Sequence, residues 1–504
     1  MAAAMTGNPA MDPGPGETAA LHRLWLQMAA KEARCRSLEA RLAQMEQSRS
    51  WRITAPLRAL AGRFRGPASV RPEDGSAGLA DSGSKTHAPA WQEVFEETTR
   101  SAGLPAGLGG VAGAPRCLVD VTELAAEDLG AGVQRLTRRW LNELLVAPAG
   151  YAIEPVRLGE RGGYVLARQF LAELLGLAPG ALGADTELEP VLGDYLLGLD
   201  FCRDRAAALD LALDRLQQAR VPIALVLPDM LPAQHPDWFP PSIAPAFASW
   251  LQVCARRADT VLCISRDVAE VLRKRLPEGC CPRIVVLPMG ADLAAGAPVP
   301  LPARQPGALR LLMVGTIEPR KRYAQALDAF ELLERRGVAV DLLIVGRPGW
   351  ETAALLARIR RLASSKPNLH WLDDADDATL QAAYRQSELL VMASAGEGYG
   401  LPIGEAALLG CELLLRDIPV FREVAGASAS YFDGNDGASL ADAITRWIAA
   451  YGTRPDPNAR DWLSWQHSAF SLKNETIQWV SEADAQPVQR VTVAGSDPIP
   501  PAET

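Results

Sequence analysis

The chain has 504 residues, 48% hydrophobic and 22% charged, with a net charge of −9. That length holds two or three domains, and the composition is that of a globular protein. The acidic balance argues against a nucleic-acid protein. No run of about 18 apolar residues is present to cross a bilayer as a helix.

No secretory h-region opens the sequence. The eight cysteines show no Cys-x-x-Cys spacing, and they read as reduced, mostly buried thiols of a cytoplasmic protein. Residues 1–16 are small and rich in Pro and Gly, and disorder is expected there. Residues 17–49 read as one long helix. Leu21, Leu24, Met28, Lys31, Cys35, Leu38, Leu42 and Met45 alternate spacings of three and four, and all but Lys31 are apolar. Such a seam suits a coiled coil, hence a homo-oligomer, or a helix packed on its own protein.

Residues 50–66, "SWRITAPLRALAGRFRG", carry Arg52, Arg58, Arg63 and Arg65 with no acid, interleaved with Trp51, Ile53, Leu57, Leu60 and Phe64. This basic amphipathic mixture suits an anionic membrane surface or a solvated linker helix. Its Ser-Trp-Arg-x-Thr-x-Pro-Leu-Arg pattern resembles a segment beside coiled coils in bacterial polysaccharide-assembly proteins. Residues 67–115 are rich in Gly, Ala, Pro and Ser and read as a linker.

From residue 116 apolar runs alternate with helical patterns: "CLVDV", "IALVLPD", "TVLCIS", "RIVVLP", "LRLLMVG", "VDLLIVG", "ELLVMAS" and "CELLLRD". That order predicts an α/β body with parallel sheets. Its length predicts two doubly wound, Rossmann-like domains, 116–300 and 301–480. A loose tail is expected over 481–504.

Two stretches carry candidate chemistry. In "LLMVGTIEPRKRY" a strand ends at Gly315, and a loop with Glu318, Pro319, Arg320 and Lys321 leads into a helix. Ligands of open α/β sheets bind beyond the carboxyl ends of the strands. Arg320 and Lys321 therefore point at a cleft, where they can hold a diphosphate without a metal, or else they face solvent at a helix start. In "ASAGEGYGLPIGEAALLG" two glutamates, Glu397 and Glu405, stand eight positions apart, with Gly398, Tyr399, Gly400 and Leu401 among the seven residues between them. Pro402 suits the first turn of a helix, whose free N–H groups favour an anion. Glu405, one turn in, can accept from both hydroxyls of a ribose. Glu397 can contact the sugar beyond the diphosphate. The acidic run "DDADD", Asp373–Asp377, could be taken for a metal site, but its place before a helical pattern makes it a helix cap.

"EGYGLPIGE" resembles the Glu-x7-Glu motif of retaining GT-B glycosyltransferases, the large group 1 family with many bacterial mannosyl- and rhamnosyltransferases. "VGTIEPRKRY" resembles that family's phosphate loop. "LLIVGRPGW", with Gly346, resembles its next strand and the turn beside the base. "RDIPVFREVAG" is similar to the segment closing the donor site, and "SWQHSA" to the terminal helix that crosses back to the first domain. "LGAGVQR" resembles the opening glycine loop, with Ala131 and Val133 replacing Thr and Ile; Gly132 would let the backbone approach the donor phosphate. "LPDMLP" resembles an acceptor-side segment that keeps Asp229 but has Pro228 at the position of a His or Tyr, and the nearby His235 reads as structural.

The resemblance implies two Rossmann-like domains facing a cleft. It implies transfer of a mannose- or rhamnose-type hexose, with retention, from a nucleotide diphosphate sugar (GDP-mannose is the first expectation) to a saccharide or lipid-linked saccharide in O-antigen or exopolysaccharide assembly. No metal or other cofactor is expected. The implied catalytic residues are Glu397, Arg320 and Lys321. Glu405, Gly132, Gly315, Gly346, Gly398, Tyr399, Gly400 and Leu401 are the donor-side residues, and Asp229 lies on the acceptor side. A GT-B epimerase or synthase and a non-catalytic scaffold subunit are the alternatives.

Overall fold

The computed structural model of the chain describes residues 116–128, 132–146, 152–199, 201–277, 280–293 and 299–485. The expected disordered start, coiled-coil helix, basic segment and linker lie outside these residues, as do residues 486–504 of the expected tail. The chain divides into two units, residues 1–114 with 168–185, and residues 115–167 with 186–504. In the first, a helix runs over Arg168–Leu174. Gln169 N donates to Asp185 Oδ1 at 3.0 Å, and the Arg168 guanidinium to Leu182 O at 3.2 Å.

The second unit holds two sheets. The first consists of β1 (Arg116–Asp120), β2 (Ala152–Leu158), β3 (Tyr164–Leu166), β4 (Tyr195–Gly198), β5 (Ile223–Leu227), β6 (Thr260–Cys263) and β7 (Arg283–Val286), in the order β3-β2-β1-β4-β5-β6-β7. Only β3 runs antiparallel to its neighbour. The second consists of β8 (Leu309–Val314), β9 (Val340–Val345), β10 (Leu369–Leu372), β11 (Leu389–Met392), β12 (Glu412–Arg416) and β13 (Ser430–Phe432), in the order β10-β9-β8-β11-β12-β13, all parallel.

The apolar runs form these strands because both faces of each sheet are covered. In the second sheet the side chains alternate between two cores. Leu311, Met313, Leu342, Ile344, Leu389 and Val391 enter one. Leu312, Leu343, Val345, Leu390 and Met392 enter the other. Strand order reverses between β1 and β4 and between β8 and β11. These switch points are where doubly wound sheets open a crevice for ligands.

The helices that bear on the site are α1 (Gly132–Val146), α2 (Arg266–Arg275), α3 (Tyr323–Arg335), α4 (Asp377–Arg385), α5 (Leu401–Leu408), α6 (Pro419–Ala425) and α7 (Trp465–Ala485). Ser464 Oγ accepts from His467 N and caps α7. The start of α7 packs on the first sheet's side. Ser468 Oγ accepts from Trp140 Nε1 at 2.8 Å and donates to Pro288 O at 2.6 Å. From α6, the Glu423 carboxylate accepts from Arg266 N at 2.7 Å and Asp267 N at 3.1 Å, the first N–H groups of α2.

Candidate active site

The carboxyl ends of β8 and β11 lie side by side at the second sheet's switch point. β8 leads into Gly315, whose φ of 132° suits glycine. A short turn, Pro319–Lys321, follows, and Arg322 (φ 57°) carries the chain into α3. Gly346, after β9, presses on this loop: a Cβ there would lie 1.9 Å from Gly315 O. Tyr323 OH donates to that same oxygen at 2.5 Å. Gly315 and Gly346 thus shape the loop that carries the two cations.

Those cations converge on the loop after β11. Arg320 Nη1 donates to Glu397 Oε2 at 2.8 Å and to Gly396 O at 3.2 Å. Lys321 Nζ donates to Glu397 Oε1 at 2.5 Å. The side chains are 14%, 13% and 7% exposed for Arg320, Lys321 and Glu397. Ala395 N donates to Arg320 O at 2.8 Å, so backbone also joins the two loops.

Burial by itself would raise the Glu397 carboxyl. The charges of Lys321 and Arg320, with hydrogen bonds from Lys321 and Ser394, outweigh it and hold the group at about 2. Burial wins at Glu318 and Asp229, and both carboxyls are raised despite the nearby Arg320. Glu318 Oε2 lies 2.9 Å from Arg320 Nε as an ion pair. The geometry is not that of a hydrogen bond, and both atoms are buried without such a partner. The two cations are therefore largely neutralised by acids of their own cluster. An anion would meet the hydrogens that Glu397 does not take, together with the Leu401 N–H at the start of α5, where Pro402 has no N–H and Ile403 N donates to Gly400 O.

α5 starts from Gly400, which takes φ 97° at the N-cap, with Pro402 in the first turn. Leu401 is half-buried. Glu405, 2% exposed, faces inward. Its Oε1 accepts from Arg135 Nη2 and its Oε2 from Tyr384 OH, each at 2.8 Å. Burial pushes the Tyr384 phenol well up, and the Glu405 charge adds to the effect. The attraction of Glu405 raises the Arg135 guanidinium. Both partners escaped the sequence reading. Tyr384 gives no signal, and Arg135 stood out only as part of the glycine-loop pattern.

The first sheet supplies the facing residues. Gly132 is the first residue of α1, and a Cβ on it would meet nothing within 4 Å. Asp229, after β5, accepts from Leu231 N at 3.0 Å. Gly398 presses against this segment: a Cβ there would lie 2.0 Å from Pro228 O and 2.9 Å from Asp229 Cβ. A Cβ on Gly396 would meet the side chains of Trp238 and Leu231 at 2.8 and 2.9 Å. The Glu397 loop therefore touches the loop after β5 almost backbone to backbone. Tyr399, half-buried and its phenol pushed by burial up to about 12, borders a cavity of about 230 Å³ with Arg266, Met289, Glu423, Arg460 and Trp462.

His235 stacks on Trp238, with ring centroids 3.9 Å apart, which fits the structural reading. The acidic run behaves as a helix start. Asp376 Oδ1 accepts from Thr379 N at 2.8 Å and caps α4, while Asp377 pairs with Arg139 at 2.6 Å.

Residues 303–461 match the family model described as glycosyl transferases group 1. The chain is 36% identical over 387 residues to the serotype-specific mannosyltransferase WbdA of Escherichia coli, covering 72% of this chain and 46% of that protein. It is 30% identical over 172 residues to the O-antigen chain mannosyltransferase B of Escherichia coli, covering 34% and 44% of the two chains. The chain thus spans about half the length of the WbdA relatives it matches. Among solved structures, sucrose-phosphate synthase from Thermosynechococcus elongatus superposes with a TM-score of 0.50 at 16% identity, over 73% of this chain and 100% of that one. At that identity the likeness concerns the fold.

Proposed function

Since the chain belongs to the group 1 glycosyltransferases and has their GT-B fold, we propose that it transfers a hexose, with retained anomeric configuration, from a nucleotide diphosphate sugar to a saccharide acceptor in surface polysaccharide assembly. The observation that carries this is Glu397, ionised and gripped by Arg320 and Lys321 just before α5. The names of the matched relatives favour mannose as the sugar and O-antigen as the product.

Breaking the donor's glycosidic bond develops positive charge on the sugar and negative charge on the leaving phosphate. The Leu401 N–H and dipole at the start of α5 and the remaining hydrogens of Arg320 and Lys321 would stabilise the phosphate in a largely water-excluded site. Glu397, fixed on both oxygens, would contact the sugar and oppose its developing charge. The leaving phosphate would take the acceptor's proton on the face it leaves. The protein supplies the cations, so the reaction needs no metal. Turnover should persist in excess chelator, and complete loss restored by magnesium or manganese would overturn that part.

The acceptor is a saccharide, lipid-linked in the cell. Residues 50–66 would hold the enzyme at the cytoplasmic face of the inner membrane, and residues 17–49 would pair chains. Incubation with a panel of nucleotide sugars, beginning with GDP-mannose, tests the activity. Acceptor-dependent nucleotide release and an α-linked product by NMR are expected from an α-linked donor. Sugar conversion without acceptor would instead indicate an epimerase or synthase. No turnover with any donor would indicate a scaffold.

A further inference from the structure

We propose that Arg135 and the donor's ribose exchange on Glu405, and that the displaced Arg135 guanidinium becomes a ligand of the donor's diphosphate. The inference rests on the functional reading above, in which Glu405 faces the ribose and the start of α5 faces the phosphates. It begins from an occupied carboxylate. Glu405 is 2% exposed, and each of its oxygens already accepts a charged or phenolic donor. A ribose diol needs acceptor capacity there, so one partner must yield.

The two partners differ in freedom. Tyr384 is fully buried in the second sheet's core. Arg135 keeps 26% of its side chain exposed and grips Glu405 through one hydrogen bond, from Nη2. Asp377 is 4.0 Å from the same nitrogen and is already bound by Arg139 at 2.6 Å. Arg135 is therefore the movable partner.

Its position fits what it would do next. Arg135 belongs to the first turn of α1, three residues after Gly132, beside the open space at that glycine. The N–H groups of a helix start favour an anion. A guanidinium released there can bind two phosphate oxygens through its planar fork. Glu405 would then read the ribose only when a diphosphate arrives with it, because a bare nucleoside displaces Arg135 without offering it a new partner.

Titration calorimetry on the full chain tests this, with GDP, UDP and ADP against their nucleosides. The expected wild-type pattern is a strong preference for diphosphates. In Arg135→Ala the diphosphate that binds should weaken roughly ten- to hundredfold, while its nucleoside binds more tightly than to wild type. Arg135→Lys should recover part of the diphosphate preference. If Arg135→Ala lowers both affinities in the same proportion, or leaves the diphosphate affinity unchanged, the exchange is refuted and the functional reading stands. If no diphosphate binds the wild type, the functional reading itself falls, and the exchange with it.

Discussion

Glu397 concentrates most of the site's electrostatics in one carboxylate. In the folded protein it titrates near 2, against an ordinary value of 4.5. A carboxyl whose folded value lies below its unfolded value stabilises the fold above the unfolded value, and that contribution is lost as pH falls through the folded one. Glu397 should thus contribute on the order of 3 kcal/mol above about pH 5 and progressively less down to about pH 2. Glu397→Gln should lower stability by about 3–5 kcal/mol at neutral pH, since Arg320 and Lys321 stay buried opposite a neutral amide. It should also flatten the acid limb of denaturant midpoint against pH. Parallel acid limbs for the two proteins would sink this account. Glu397, Arg320 and Lys321 were legible in the sequence because each belongs to a short strand–loop–helix motif. The Arg135–Glu405 pair was not, because partners 270 residues apart leave no local pattern.

The helix starts and eight of the thirteen described strands follow the sequence closely, and the other five do not. The eight legible strands are mainly apolar runs, and the charged Arg310 of β8 and Asp341 of β9 pair with each other. β2, "AIEPVRL", is buried along nearly its whole length but contains Glu154, Pro155 and Arg157, which mask it. β3 and β13 have three residues each, too few to show a period, while β4, "YLLG", ends in a glycine and β10, "LHWL", is broken by His370. Glycines were legible as turn residues, yet their close approaches depend on what packs across from them. Gly398 has backbone, Pro228 O, in the place of its Cβ, and Gly132 has open space. Gly398→Ala should therefore force the Glu397 loop away from the loop after β5. A displacement of about 1 Å near the reacting atoms costs on the order of a hundredfold in kcat/KM. Overpacking should cost about 1–3 kcal/mol in stability. Gly132→Ala should leave the Tm of the protein alone unchanged. Equal Tm losses in the two variants would contradict the difference in packing.

Across the whole molecule, the two sheets are fixed to each other by specific contacts. α7 bonds Trp140 and Pro288 through Ser468, and Glu423 on α6 closes the start of α2. No helix among the described residues is long and apolar enough to cross a membrane. Residues 50–66 carry four arginines and no acid in a chain of net charge −9. The acidic excess therefore resides outside this segment and would be repelled by an anionic leaflet. Each basic residue near such a leaflet contributes about 1 kcal/mol. Trp51 and Phe64 would add interfacial anchoring. Pairing two arms through the seam Leu21–Met45 would raise the effective concentration of the second arm. A truncated chain beginning near Ala114 should keep turnover on a soluble acceptor analogue and lose sedimentation with anionic liposomes. Full-length protein should sediment at low salt and be released as salt screens the arginines. If the full chain ignores anionic liposomes at low salt, the membrane role of residues 50–66 is wrong. If the truncated chain loses turnover on the soluble analogue, the arm belongs to the catalytic body and is not a tether.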